Sequence, residues 1–221
     1  MAPDTTILPV VLGPALLCAI AVMALVTSDF RQFRPGRYVF KPLAASAFLW
    51  LALALGATNS TYGCWLLAGL VCCMAGDLLL MADNERAFLA GLVAFLCGHL
   101  CYALAFLGLG DSLTGLAISA LPALLLMALC MRWLLPHVGA DMKIPVSVYT
   151  LVITAMLLCA GMSSGHPAAA LIISGAWAFA VSDLAVARQQ FVQAQRSNAL
   201  WGTPLYFLAQ MLLASSVALV H

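Results

Sequence analysis

Apolar stretches of about 20 residues, the length one helix needs to cross a bilayer, recur eight times along this chain. They cover roughly 7–27, 40–58, 62–82, 87–108, 113–135, 144–162, 167–187 and 200–220. Short breaks carrying Pro, Gly, Asn or charge separate them, among them Arg34-Pro35-Gly36, Asn59, Gly110-Asp111 and Gly165-His166-Pro167. The pattern predicts an all-α fold, a polytopic membrane helix bundle of about eight transmembrane helices forming a single integral membrane domain over residues 1–221. Composition agrees: 65% of the residues are hydrophobic and 8% charged, where soluble domains carry about 25% charge. Mean hydropathy is +1.08. A net charge of +1 with no basic run gives no surface for nucleic acid. Asp4 stands where a secretory signal has Lys or Arg, and the first apolar run is longer than a signal core, so an uncleaved first helix is expected.

Charge orients the bundle. Arg31, Arg34, Arg37 and Lys41 flank the first connection, Arg86 the third, Arg132 and Lys143 the fifth, Arg188 and Arg196 the seventh. The even connections hold none of the nine basic residues. The positive-inside rule then places the odd connections in the cytoplasm and both termini outside, and the expected location is a bacterial inner membrane.

Against this background two carboxylates stand out. Asp77, in Gly76-Asp77-Leu78, and Asp183, in Ser182-Asp183-Leu184, lie inside apolar runs. An ionised side chain near mid-helix costs about 2.5–3.5 kcal/mol on insertion scales, so such residues are rare and usually functional. Both sit about one turn before the cytoplasmic end of an inward-running helix, hence at one depth. Lys41 opens the second helix from that side, and Tyr149 and Tyr206 enter the sixth and eighth. Gly91, Phe95, His99 and Tyr102 fall on one stripe of the fourth helix at 3.6-residue periodicity, a face expected to point inward. The two Asp-Leu segments lie about half the chain apart on helices of one orientation, as a parallel four-plus-four repeat would place them.

Each candidate also has a structural reading. Either aspartate is satisfied by hydrogen bonds to a neighbouring helix, with Ser182 and Arg188 close to Asp183. Lys41 is accounted for by a positive-inside cluster, the tyrosines by packing and Gln210 by a helix neighbour. The eight cysteines lie almost entirely in apolar runs without a CxxC pair and read as small packing residues. A metal centre needs three or four converging ligands. Of the histidines only His99 reaches the depth of the aspartates, since His137 and His166 fall in loops on opposite sides and His221 ends the chain. No metal site is expected.

Taken together, Lys41-Pro42, Gly76-Asp77, the Gly91/Phe95/His99/Tyr102 face, Pro145-Val146 with Tyr149, Gly175-Ala176 through Ser182-Asp183, and Tyr206 with Gln210 resemble the YhhN family of membrane lysoplasmalogenases. The resemblance runs from the second helix to the eighth. It implies hydrolysis of the vinyl ether bond of lysoplasmalogens to a fatty aldehyde and glycerophospho-ethanolamine or -choline. It also implies Asp77 and Asp183 as the catalytic pair. Their depth makes Lys41, His99, Tyr102, Tyr149, Ser182, Tyr206 and Gln210 the candidate substrate-binding residues, with Lys41 or one of Arg31, Arg34 and Arg37 expected to meet the phosphate. The chemistry suits two carboxyls. One, still protonated, protonates the carbon β to oxygen; the other, ionised, stabilises the oxocarbenium ion that water captures. Burial and a second carboxylate nearby both favour a protonated acid. The partners are a lysophospholipid, water and membrane lipid; no cofactor is required, and nothing in the sequence speaks to oligomeric state. The competing reading is a proton-coupled transporter using the same aspartates as a relay. Against it, the apolar runs lack matched Gly or Pro interruptions at mid-depth in the two halves.

Overall fold

A computed structural model describes residues 7–82 and 84–220; Asp4, Asp83 and His221 lie outside the described residues. Eight α-helices account for most of the chain: α1 (Ile7–Phe30), α2 (Arg34–Ala54), α3 (Thr61–Leu79), α4 (Glu85–Leu107), α5 (Leu113–Leu134), α6 (Ala140–Met162), α7 (Ala169–Ala187) and α8 (Arg196–Ser216). Among the described residues there is no strand. Seven of the helices are long and apolar enough to cross a membrane. The eighth, α2, falls short because Arg34, Arg37 and Lys41 load its first turns.

Local chemistry explains where helices begin and end. Ser60, Asn84 and Ser112 cap α3, α4 and α5, each side chain accepting from the backbone N–H three residues on. Gly56, at φ +80°, takes the left-handed position that closes α2. Several boundaries differ from the sequence expectation by a few residues, and three of the shifts have a clear local cause. α2 starts at Arg34 rather than near residue 40, because Pro35 is well placed in a first turn, where no N–H is needed. Lys41 therefore lies two turns inside the helix instead of opening it. α6 starts at Ala140 rather than 144, with Asp141 in the first turn, where a carboxylate complements the helix dipole. α7 runs on past Ala187 through a π-helical turn, Arg188–Val192.

In lipid, helices associate through close packing of small residues, and two intimate pairs use it. In the α3–α4 pair a Cβ on Gly76 would meet the Phe95 ring at 2.7 Å, and one on Gly98 would meet Cys73 Sγ at 2.8 Å. In the α7–α8 pair a Cβ on Gly175 would meet Leu213 at 2.8 Å. Helix α8 also touches α1, α2 and α3, which makes it central, whereas α5 leans mainly on α6. Leu113, Ile118 and Leu121 of α5 are exposed, as lipid-facing residues are. At the end away from the basic residues, Tyr62 Oη and Ser216 Oγ are 2.5 Å apart and the Ser112 N–H donates to Met162 O at 3.2 Å. The opposite end, between the odd-numbered connections, holds a large cavity.

Candidate active site

Asp77 occupies the last turn of α3, nearly sealed by its neighbours. Its Oδ1 lies 3.1 Å from Lys41 Nζ of α2, and Tyr206 of α8 donates its hydroxyl to Oδ2 at 2.7 Å. Both oxygens thus face positive or donor groups. The lack of a side chain at Gly76 lets the Phe95 ring pack against the α3 backbone one residue before Asp77.

Asp183, one turn before the end of α7, has a different nest. Tyr149 of α6 donates to its Oδ2 at 2.9 Å, and His99 Nε2 of α4 stands 3.5 Å from the same oxygen. His99 is fully buried. Its Nδ1 is 2.7 Å from the Phe95 carbonyl, and its ring stacks on Phe179 with centroids 4.2 Å apart. The Asp77 side chain is 3% exposed and that of Asp183 14%, so Asp183 is the more open of the two. Asp77 and Asp183 lie within electrostatic reach of each other.

Both carboxyls line one cavity of about 850 Å³, near the upper end of the roughly 300–1,000 Å³ common for small-molecule sites. Its mouth carries Asp29, Gln32, Arg37, Gln189 and Arg196, all at the end with the basic residues, and its deep wall is mostly apolar, with Leu126, Met127 and Ile153 from α5 and α6 beside Thr150 and Thr154. A polar rim, two carboxyls below it and an apolar extension suit an amphipathic single-chain molecule.

The remaining sequence candidates divide. Lys41, Tyr149, Ser182 and Tyr206 line the cavity, though the Lys41 ammonium is engaged by Asp77 and the Ser182 hydroxyl donates to Phe179 O at 2.7 Å. His99, Tyr102 and Gln210 stand behind its wall. Tyr102 donates to Gln210 Oε1 at 2.6 Å, both fully buried. All four stripe residues of α4 are buried. Among the described residues no group of three His, Cys, Asp or Glu side chains converges as metal ligands, and the eight cysteines are free thiols.

Sequence reasoning missed several contributors. Phe179 supports His99 and packs edge-on against Phe95 and Tyr206; its place four residues before Asp183, on one helical face, was the available signal. Phe88 and Phe191 form an edge-to-face pair in the cavity wall at 5.9 Å. Asn198, buried and bonded to Gln189 and Arg188, anchors the turn before α8. The lysine–carboxylate pairing across α2 and α3 has no local sequence signal.

Residues 36–217 match the profile of the YhhN family. Over 181 residues the chain is 33% identical to the lysoplasmalogenase TMEM86B of Homo sapiens, covering 79% of this chain and 70% of that protein. The Rattus norvegicus lysoplasmalogenase TMEM86B is 34% identical over 173 residues, 76% of this chain and 66% of the relative. A lysoplasmalogenase of Mycobacterium tuberculosis is 32% identical over 133 residues, 58% and 50% of the two chains. The chain thus spans between half and about seven-tenths of these relatives' lengths. No solved structure matches.

Proposed function

The chain belongs to the YhhN family, and on that premise we propose that it is a lysoplasmalogenase, cleaving the vinyl ether of a lysophospholipid. The observation that carries the reading is the pair of carboxyls, Asp77 and Asp183, lining one membrane-embedded cavity. An enol ether is stable to nucleophiles but labile to acid. Protonation of its β-carbon creates an oxocarbenium ion, water adds to the adjacent carbon, and the hemiacetal collapses to aldehyde and alcohol. A carboxylic acid supplies the proton and a carboxylate stabilises the cation, the division of labour used where two carboxyls flank an oxocarbenium-like centre.

The lining of the cavity supports one pose for the substrate in this reading. Its tail lies along Leu126, Met127 and Ile153, and its vinyl ether rests between the aspartates. The headgroup phosphate meets Arg37 and Arg196 at the mouth. Lys41, committed to Asp77 at 3.1 Å, serves the carboxylate rather than the phosphate. Tyr149, Tyr206 and Ser182 shape the reaction chamber, while His99, Tyr102 and Gln210 support it from behind. On the positive-inside rule the mouth opens to the cytoplasm, so water is drawn from that side; a bacterial inner membrane is the location proposed with this reading. The chemistry requires no cofactor. Nothing in the fold favours the transporter alternative.

Aldehyde release tests this directly. Purified protein in detergent micelles containing lysoplasmalogen is expected to liberate one fatty aldehyde per glycerophospho product. An active-site-intact protein that released none would overturn the reading, and proton uptake into proteoliposomes without hydrolysis would replace it with transport.

A further inference from the structure

The two carboxyls differ in a way that assigns their roles, and the difference begins with a backbone carbonyl. Phe95 O can only accept, so the hydrogen bond at 2.7 Å fixes the proton of His99 on Nδ1. Nε2 then either holds a lone pair or carries a second proton that makes the ring a cation. His99 is fully buried under Phe179 and Tyr149, where an unsolvated charge is costly. Its Nε2 makes no hydrogen bond, and the 3.5 Å separation from Asp183 Oδ2 is longer than charge-assisted bonds, about 2.7–2.9 Å. A neutral ring therefore aims the negative end of its dipole at Asp183.

A full negative charge on an oxygen facing a lone pair is disfavoured; the carbonyl oxygen of a neutral acid is repelled far less. Tyr149 donates to Oδ2, the oxygen that is the carbonyl when the acid proton sits on Oδ1. Oδ1 has no partner among the described residues and belongs to the more exposed carboxyl, in the cavity wall. The titratable groups around Asp183 are Cys73 and Asp77 of α3, His99 of α4, Cys130 of α5 and Tyr149 of α6. No described lysine or arginine pairs with it. Asp77 is the reverse case, with an ammonium on one oxygen and a phenol donor on the other.

We propose that Asp183 is the proton donor, kept in its acid form by the neutral Nε2 of His99, and that Asp77 is the carboxylate held ionised by Lys41. This rests on the vinyl ether hydrolase reading and deepens it. The proton on Asp183 Oδ1 passes to the β-carbon while the alkene electrons form the new C–H bond, leaving Asp183 as a carboxylate opposite the oxocarbenium ion. Asp77 stabilises that cation. Water adds to the cationic carbon and gives a proton to Asp183, which restores the acid; in the collapse Asp183 protonates the departing glycerol oxygen and takes the hemiacetal hydroxyl proton, ending as the acid it began. His99 is a positioning residue: it touches Asp183, not substrate.

Infrared spectroscopy of the purified, substrate-free protein at neutral pH tests the assignment without turnover. The carbonyl stretch of a protonated, buried carboxylic acid, shifting in heavy water, is expected in the wild type and in Asp77→Asn, and lost in Asp183→Asn. Asp183→Glu, which keeps an acid at the site, moves the band instead of removing it and serves if the asparagine variant does not fold. Loss of the band in Asp77→Asn with its retention in Asp183→Asn would reverse the roles, and no band in the wild type would overturn the proposal. His99→Gln replaces the acceptor with an amide able to donate. The band should then vanish at lower pH than in the wild type, and kcat should fall about tenfold with KM unchanged, well short of the roughly 10²–10⁴ for removing the acid itself. An unaltered band titration in His99→Gln would remove the histidine from the account. If the band sits on Asp183 and no aldehyde is released, the hydrolase reading fails while the assigned protonation stands.

Discussion

Asp77 and Asp183 lie toward the same end of the bundle and line the same cavity, yet their surroundings are opposite in sign. The groups bonded directly to Asp77 give positive charge or a proton: Lys41 Nζ at 3.1 Å and Tyr206 Oη at 2.7 Å. Around Asp183 one donor, Tyr149, is opposed by the acceptor nitrogen of His99. One carboxyl is built to be an anion and the other to remain an acid. The comparison shows how a bundle with few charges makes two reagents from one residue type, by choosing which helix supplies the neighbour. Chemistry through an oxocarbenium ion needs both at once.

Substitutions break this comparison in a definite order. Removing the acid should cost most: Asp183→Asn is expected to lower vinyl ether turnover by roughly 10²–10⁴, the usual contribution of general acid catalysis, measured as aldehyde release. Asp77→Asn removes electrostatic stabilisation of the cation and should cost about 10²–10³ in kcat, while retaining a primary solvent isotope effect because the donor is intact. Lys41→Met leaves Asp77 without its counter-charge in a buried site, a change that typically destabilises by about 3–5 kcal/mol. A lowered thermal midpoint in detergent, partly restored by the double variant Lys41→Met/Asp77→Asn, checks it.

The tyrosines sharpen the contrast. A hydrogen bond to a charged group is worth about 1.5–3 kcal/mol and one to a neutral group about 0.5–1.5. Tyr206→Phe, opposite the anion, should therefore reduce turnover more than Tyr149→Phe, opposite the acid. Equal losses would argue against unlike charge states. The smallest effect is expected from metal removal. Exhaustive chelation should leave turnover unchanged, because among the described residues His137 and His166 stand in separate loops and only His99 accompanies the aspartates. Restoration by zinc of an activity lost to EDTA would contradict this.

Much of the fold was legible because a membrane helix announces itself by run length: about eight spanning helices were expected, and the described residues form eight α-helices, seven of them long and apolar enough to cross. The boundaries that shifted are those where charge masked helix. Arg34 to Val39 read as a loop, yet Pro35 starts a helix there and carries Lys41 inward to Asp77. Ala140 to Lys143 behaved in the same way. The aspartates and the inward face of α4 were visible because an acid or a histidine in an apolar run is conspicuous. The pairings were not. Nothing local says that Lys41 meets Asp77 or that Tyr149 meets Asp183, since those contacts depend on how α2, α6 and α8 are arranged around α3 and α7. Phe179 looked like one more apolar residue, and its stacking on His99 emerges only from that arrangement.

The claim beneath all of this is that the bond is cleaved by protonating carbon and not by attack at glycerol. Hydrolysis in water enriched in heavy oxygen decides it, read on the glycerophospho product because aldehyde oxygen exchanges with solvent. Water captured by an oxocarbenium ion ends up in the aldehyde, so the newly freed glycerol hydroxyl is predicted to keep the original ether oxygen and carry no label. A labelled hydroxyl in that product would contradict the account.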